Sequence, residues 1–179
     1  MCMRLRAAMH DPGFRHLMGI VEIDEAYIGG KQENRHWKER QKYSGRGAAH
    51  TGKTTVIGAR KGSVVCKVVE NTSQRTINQF VRKMVSDKVE LVATDESRAY
   101  DWLRMDYRYE TVDHKAGEYV RGEIHTNSIE SFWALLKRAV MGTYHHVSAK
   151  YLPLYLAEFQ FRHNNRREPD IFGKAVAGA

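Results

Sequence analysis

The stretch VEIDEAYIGGK, residues 21–31, constrains the fold more than any other. Val21 and Ile23 alternate with Glu22 and Asp24 in the period-two pattern of a strand, and a glycine pair ends the run. Asp is depleted in strands, so Asp24 in the middle of a good strand former marks an edge, a bulge, a solvated face or a functional group held on a rigid element.

Other strands follow. TTVIGAR (54–60) and SVVCKVVE (63–70) are rich in β-branched residues and joined by Lys61-Gly62, which predicts a tight antiparallel hairpin. Ser73 is a plausible N-cap for a helix whose apolar face is Ile77, Phe80, Val81, Met84 and Val85. VELVAT (89–94) reads as a central strand that delivers Asp95 at its end. A short helix around Ala99–Met105 and a strand YRYETV (107–112) come next. NSIESFWALLKRAVM, from Asn127, predicts a helix with Ile129, Phe132, Trp133, Leu136 and Val140 on one face and Asn127, Glu130 and Lys137 on the other. A last helix, from Leu152 to Asn165, tolerates Pro153 in its first turn. Three antiparallel strands followed by βα units predict an α/β protein: a mixed five-stranded sheet flanked by helices, as in the ribonuclease H-like fold.

With 179 residues the chain suffices for one well-buried domain. No apolar run approaches the roughly 18–20 residues of a membrane span, and MCMRLRAAMH is no signal peptide, which predicts a cytoplasmic protein with no membrane partner. Cys2 and Cys66 lie far apart in no metal-binding spacing, arguing against a disulfide framework or zinc site. The net charge of +8 is uneven. Between Lys31 and Lys61 nine basic residues face only Glu33 and Glu39, pointing to a polyanion, most simply DNA, or to a loop kept soluble by its charge. Much of this charge lies in a long basic loop, residues 31–52. GAAHTGKT (47–54) satisfies the phosphate-binding-loop pattern, but a basic loop precedes it and β-branched TVIGAR follows, so no nucleotide partner is predicted.

In the ribonuclease H-like arrangement the strands carrying Asp24 and Asp95 lie side by side, and Glu130 approaches from the helix packed across them. Three converging carboxylates can hold two divalent cations for phosphodiester chemistry, and hard oxygen ligands suit magnesium or manganese. Each acid has a competing structural role: Asp95 as a helix cap, and Glu130 in a capping box with Asn127.

VEIDEAYIGGK, TDESRAY and HTNSIESFWALLKR, with FRHNNRR near the end, resemble the bacterial insertion-sequence transposases of the ISXO-like group, a branch of the DDE transposase superfamily. The resemblance runs from about Leu17 to Phe172. It implies a DDE-type catalytic domain over residues 17–179 that hydrolyses phosphodiesters and transfers strands at insertion-sequence ends, using two Mg2+ or Mn2+ per active site. It implies Asp24, Asp95 and Glu130 as catalytic metal carboxylates, Lys137 near DNA phosphates, and Asn127 beside the site. Arg35, Lys38, Arg40, Lys42, Arg46 and Lys53 of the basic stretch, with Arg162, Arg166 and Arg167, are candidate DNA contacts. His114 and His125 are candidates for DNA contacts or for supporting the metal ligands. Implied partners are insertion-sequence ends, target DNA and further copies of the chain on DNA. Residues 1–16 read as the tail of an N-terminal DNA-reading region that the family usually carries. The alternatives are an inactive DNA-binding remnant and a plain ribonuclease H-like nuclease.

Overall fold

β1 (Ile20–Ile28) is the centre of the sheet, and both of its faces are covered. The computed structural model describes residues 2–11, 14–30, 36–42, 52–95, 97–112 and 126–178. β1 pairs antiparallel with β2 (Thr54–Lys61), from Glu22 opposite Arg60 to Ile28 opposite Thr54. On its other side Ile20–Glu22 run parallel to Leu91–Ala93 of β4 (Leu91–Asp95). The predicted hairpin is present: β3 (Ser63–Val69) returns along β2 through Gly62, whose φ of +68° is a conformation that glycine adopts without strain. β5 (Tyr109–Val112) adds in parallel to β4. The order β3-β2-β1-β4-β5 is the mixed five-stranded ribonuclease H-like sheet that the strand sequence predicts.

Helices cover the two faces. α3 (Gln74–Met84), capped by Ser73 whose hydroxyl accepts the Thr76 N–H, buries Ile77, Phe80 and Val81 against Val21, Ile23, Ile57 and Val92. α5 (Asn127–Arg138) buries Ile129, Phe132, Trp133 and Leu136 on the opposite face, against Ala26, Ile28, Val56 and Cys66. Full burial of an aliphatic or aromatic side chain stabilises by roughly 1.5–3 kcal/mol, so these two stripes fix the helices to the sheet.

Elsewhere the elements depart from the sequence reading. The predicted 127–141 helix is α-helical only to Arg138, and Ala139–Thr143 continue it as a π-helical turn. The segment around Ala99–Met105 splits into a 3₁₀ turn (Arg98–Tyr100) and α4 (Leu103–Asp106). Part of the basic stretch forms a short helix, α2 (Trp37–Lys42). At the two ends α1 (Cys2–Ala8) and α7 (Ile171–Ala177) are helical, and α1 is held on α6 (Leu152–Asn164). There the Arg6 guanidinium lies over the Tyr155 ring and its Nε donates to Glu158 Oε2 at 2.7 Å.

α6 also closes the β3 edge. Gln160 Oε1 accepts the Cys66 N–H at 2.7 Å, and the Asn164 amide both accepts the Val64 N–H (2.7 Å) and donates to the Val64 carbonyl (2.9 Å). Val64 and Cys66 are the alternate residues whose backbone groups point away from β2, and an open edge would leave them unpaired. The FRHNNRR segment thus serves the sheet: His163 and Arg166 both reach the Gly62 carbonyl at the hairpin turn.

Candidate active site

The middle of β1 carries acids on both of its faces. Asp24 leaves the face that α5 covers, and Glu25 leaves the α3 face. Beside them β4 ends at Asp95. One carboxylate oxygen from each of Asp24, Glu25 and Asp95 lies within 4.8 Å of the other two, and all three residues are half-buried. Among the described residues this is the one such cluster of potential metal-binding side chains.

The predicted pair, Asp24 and Asp95, is therefore together, on adjacent strands. Asp95 also has its alternative role, since Oδ1 accepts the Ser97 N–H at 3.2 Å and steadies the turn into the 3₁₀ segment. Glu25 is the residue that sequence reasoning missed. Strand alternation places it across the sheet from Asp24, but its longer side chain reaches past the end of β4.

Glu130 stands elsewhere. It is exposed in the first turn of α5, where Oε1 accepts the Thr126 hydroxyl at 3.2 Å. The helix cap is Thr126, one residue before the expected Asn127, so Glu130 is the fourth helical residue and the predicted capping box does not form. Glu130 does not join the cluster of three, yet its charge is close enough to Asp24 to raise that carboxyl's pKa.

Burial and crowding set the proton affinity of the cluster. Burial, with Asp95 and Glu130 nearby, pushes Asp24 up to about 6. Burial, with the charges of Asp95 and Asp24, pushes Glu25 up to about 7. Two buried donors face these acids, the Trp133 indole N–H toward Asp24 and the Tyr100 hydroxyl toward Glu25, and neither closes a hydrogen bond of ordinary geometry. Hard carboxylate oxygens, crowded until they hold protons near neutrality, fit a divalent cation, which would replace the protons and relieve the repulsion.

This crowding carries a stability consequence. A carboxyl whose pKa rises on folding stabilises the fold while protonated, and that contribution disappears as the pH climbs through the raised value. At on the order of 3 kcal/mol for each acid, the metal-free protein loses several degrees of Tm between about pH 4 and pH 7, from the ordinary carboxyl values up to the raised ones. Mn2+ at pH 8 restores them, and EDTA removes the gain. Thermal scans across pH with and without Mn2+ check this, and a Tm that rises toward pH 8 without metal contradicts it.

The remaining predicted contacts are scattered. Asn127 and Lys137 are exposed at the start and in the last turn of α5. Lys38 is exposed and its ammonium lies over the Trp37 ring. Lys53 is half-buried, its stem close against Gly29 at the end of β1. Arg162 is paired with Glu158 at 3.5 Å, Arg166 donates to the Gly62 and His163 carbonyls, and Arg167 is exposed. Arg35, Arg46, His114 and His125 lie outside the described residues, as do the side chains of Arg40 and Lys42 and most of the 47–54 segment. Among the described residues no helix is long and apolar enough to cross a membrane.

Comparison with known proteins places the sheet and its acids in context. The model of the ISXO2-like transposase domain matches residues 16–164. An uncharacterized protein in transposable element ISH50 of Halobacterium salinarum is 34% identical over 165 residues, 86% of this chain, and the chain spans 55% of that relative's length. Among solved structures, the catalytic core domain of BIV integrase is 13% identical with a TM-score of 0.44, covering 77% of this chain and 79% of that one. The HTLV-2 integrase catalytic core domain in complex with magnesium is 11% identical with a TM-score of 0.39, covering 84% of this chain and 86% of that one. Likenesses this distant carry no weight for the site.

Proposed function

The chain belongs to the ISXO2-like transposase domain family, and from that membership we propose that residues 17–179 are a DDE-type catalytic domain that cuts and joins DNA at insertion-sequence ends. The observation that carries this reading is the convergence of Asp24 and Asp95 on neighbouring strands of a ribonuclease H-like sheet. Asp24 and Asp95 would hold the divalent cations, Glu130, outside the cluster of three, would complete the set from α5, and Glu25 would add a fourth carboxylate from the other face.

Magnesium or manganese, two ions per site, supplies the Lewis acidity that activates an attacking oxygen and stabilises a leaving one. The protein supplies a rigid mount. The buried side chains of Trp133 and Tyr100 stand beside the acids, the first toward Asp24 on one face and the second toward Glu25 on the other. Lys137, seven residues beyond Glu130 on α5, would approach the DNA backbone, and Asn127, exposed at the start of the same helix, would support the metal site. Lys38, Lys53 and the remaining cations of the basic stretch hold phosphates, which gives salt-dependent and largely sequence-neutral affinity for insertion-sequence ends and target DNA. Paired DNA ends call for more than one copy of the chain.

A manganese-soaked crystal tests the reading by anomalous scattering. The expected result is a peak between Asp24 and Asp95. A soaked crystal with that peak absent, in a protein whose Tm Mn2+ also fails to raise, overturns it.

A further inference from the structure

Glu22 lies two residues before Asp24 on the same face of β1 and is 7% exposed. Its Oε2 accepts the Ile129 N–H at 2.8 Å, across 107 positions of sequence. Arg60, its register partner on β2, donates to the Ser128 carbonyl. Ser128 C=O and Ile129 N–H are the two halves of one peptide group, so a carboxylate and a guanidinium from adjacent strands grip both ends of a single peptide.

That peptide lies immediately before Glu130. The Ile129 N–H is one of the helix-start donors with no partner inside α5, and the Thr126 side chain caps none of them. The Ser128 carbonyl has a second lone pair free for Arg60 beyond its helical bond. The grip therefore fits the ordinary accounting of a helix start, but its acceptor comes from the strand that carries Asp24 and its donor from the neighbouring strand.

We propose that Glu22 and Arg60 are positioning residues that clamp the Ser128–Ile129 peptide and so fix Glu130 with respect to Asp24. This rests on the reading of Glu130 as a metal carboxylate. Without the clamp, the first turn of α5 is free to shift against β1, and Glu130 loses its placement while every carboxylate remains.

The test is a double-mutant cycle read by Mn2+ affinity, from calorimetric titration of the folded chain at fixed pH. Groups that orient metal ligands are worth about 10- to 100-fold in metal affinity. The expected results are a loss of about tenfold for Glu22→Ala and near-native affinity for Glu22→Gln, which keeps an acceptor for the Ile129 N–H. Glu22→Ala/Glu130→Gln should bind no more weakly than Glu130→Gln alone. Equal losses for Glu22→Ala and Glu22→Gln would assign the effect to charge and overturn the proposal, as would additive losses in the double variant. If Glu22→Ala does not fold, Arg60→Met replaces it in the cycle, with the same non-additivity expected. A Glu130→Gln variant with unchanged affinity removes Glu130 from the site and takes the proposal with it. A weakened Glu130→Gln with additive Glu22→Ala overturns the clamp alone.

Discussion

Asp24→Asn reduces metal-dependent cleavage of an insertion-sequence end by about 10³-fold or more, a loss of roughly 4 kcal/mol of transition-state stabilisation. The substitution is nearly isosteric and replaces a carboxylate of the proposed metal site with a neutral amide, while the sheet keeps its hydrogen bonds. The metal-free fold does not suffer. Asp24 is a buried carboxyl pushed up to about 6 by burial and its acidic neighbours, so neutralising it relieves repulsion at pH 8 and leaves the Tm unchanged or a few degrees higher. The diagnostic pairing is lost cleavage with preserved stability. Cleavage within tenfold of the native chain would point to an inactive, merely DNA-binding remnant or to contaminating nuclease, and against the proposed chemistry.

Gly58→Ala is the second large effect, and it works through packing. Gly58 is the β2 register partner of Asp24, and the Trp133 ring lies over it. A Cβ at Gly58 would meet Trp133 Cζ2 at 2.6 Å and Cη2 at 2.7 Å, closer than carbon atoms approach. Alanine ordinarily favours a strand over glycine by a fraction of a kcal/mol. Here the overlap wins, because Trp133 is a rigid ring, 3% exposed, with Phe132 packed edge-on beside it at 5.4 Å between centroids. Overpacking of this kind costs about 1–3 kcal/mol, a Tm drop of several degrees. Because the relief must come from moving α5 outward, Mn2+ affinity falls as well. Chemical denaturation and Mn2+ titration of the variant measure the two together, and native stability with native affinity would show that the ring shifts freely.

Much of this was legible before any coordinates. Three β-branched runs, a two-residue Lys61-Gly62 connection and an apolar run ending in Asp95 fix the strand types and order, because the hairpin and the βα units leave few other sheets. Asp24 and Asp95 are legible too, the first as an acid in the middle of a strand former and the second as the acid that ends an apolar strand. Glu22 and Glu25 are not. A period-two reading takes alternate residues to face water, whereas α3 and α5 cover both faces of β1, so its polar residues become buried contacts. Glu25 is reachable in principle, since a second acid follows Asp24 directly, but its approach to Asp95 depends on where β4 stops. The cap of α5 moves from Asn127 to Thr126 because the helix-start donors are satisfied by a strand 107 positions away, which no local pattern records. Likewise Arg166 reads as a phosphate contact, and its guanidinium also donates to the Gly62 carbonyl of the hairpin turn some hundred residues earlier.

The amides of Gln160 and Asn164 close an edge that is complete in the chain long before they are. β3 ends at Val69, whereas α6 begins at Leu152, so during synthesis on the ribosome the hairpin waits with Val64 and Cys66 open while nearly half of the 179 residues are still being made. Throughout that interval the open β3 edge is a template on which a neighbouring nascent chain can pair. The arrival of a single helix ends that exposure, making the docking of α6 the step that closes the β3 edge of the sheet.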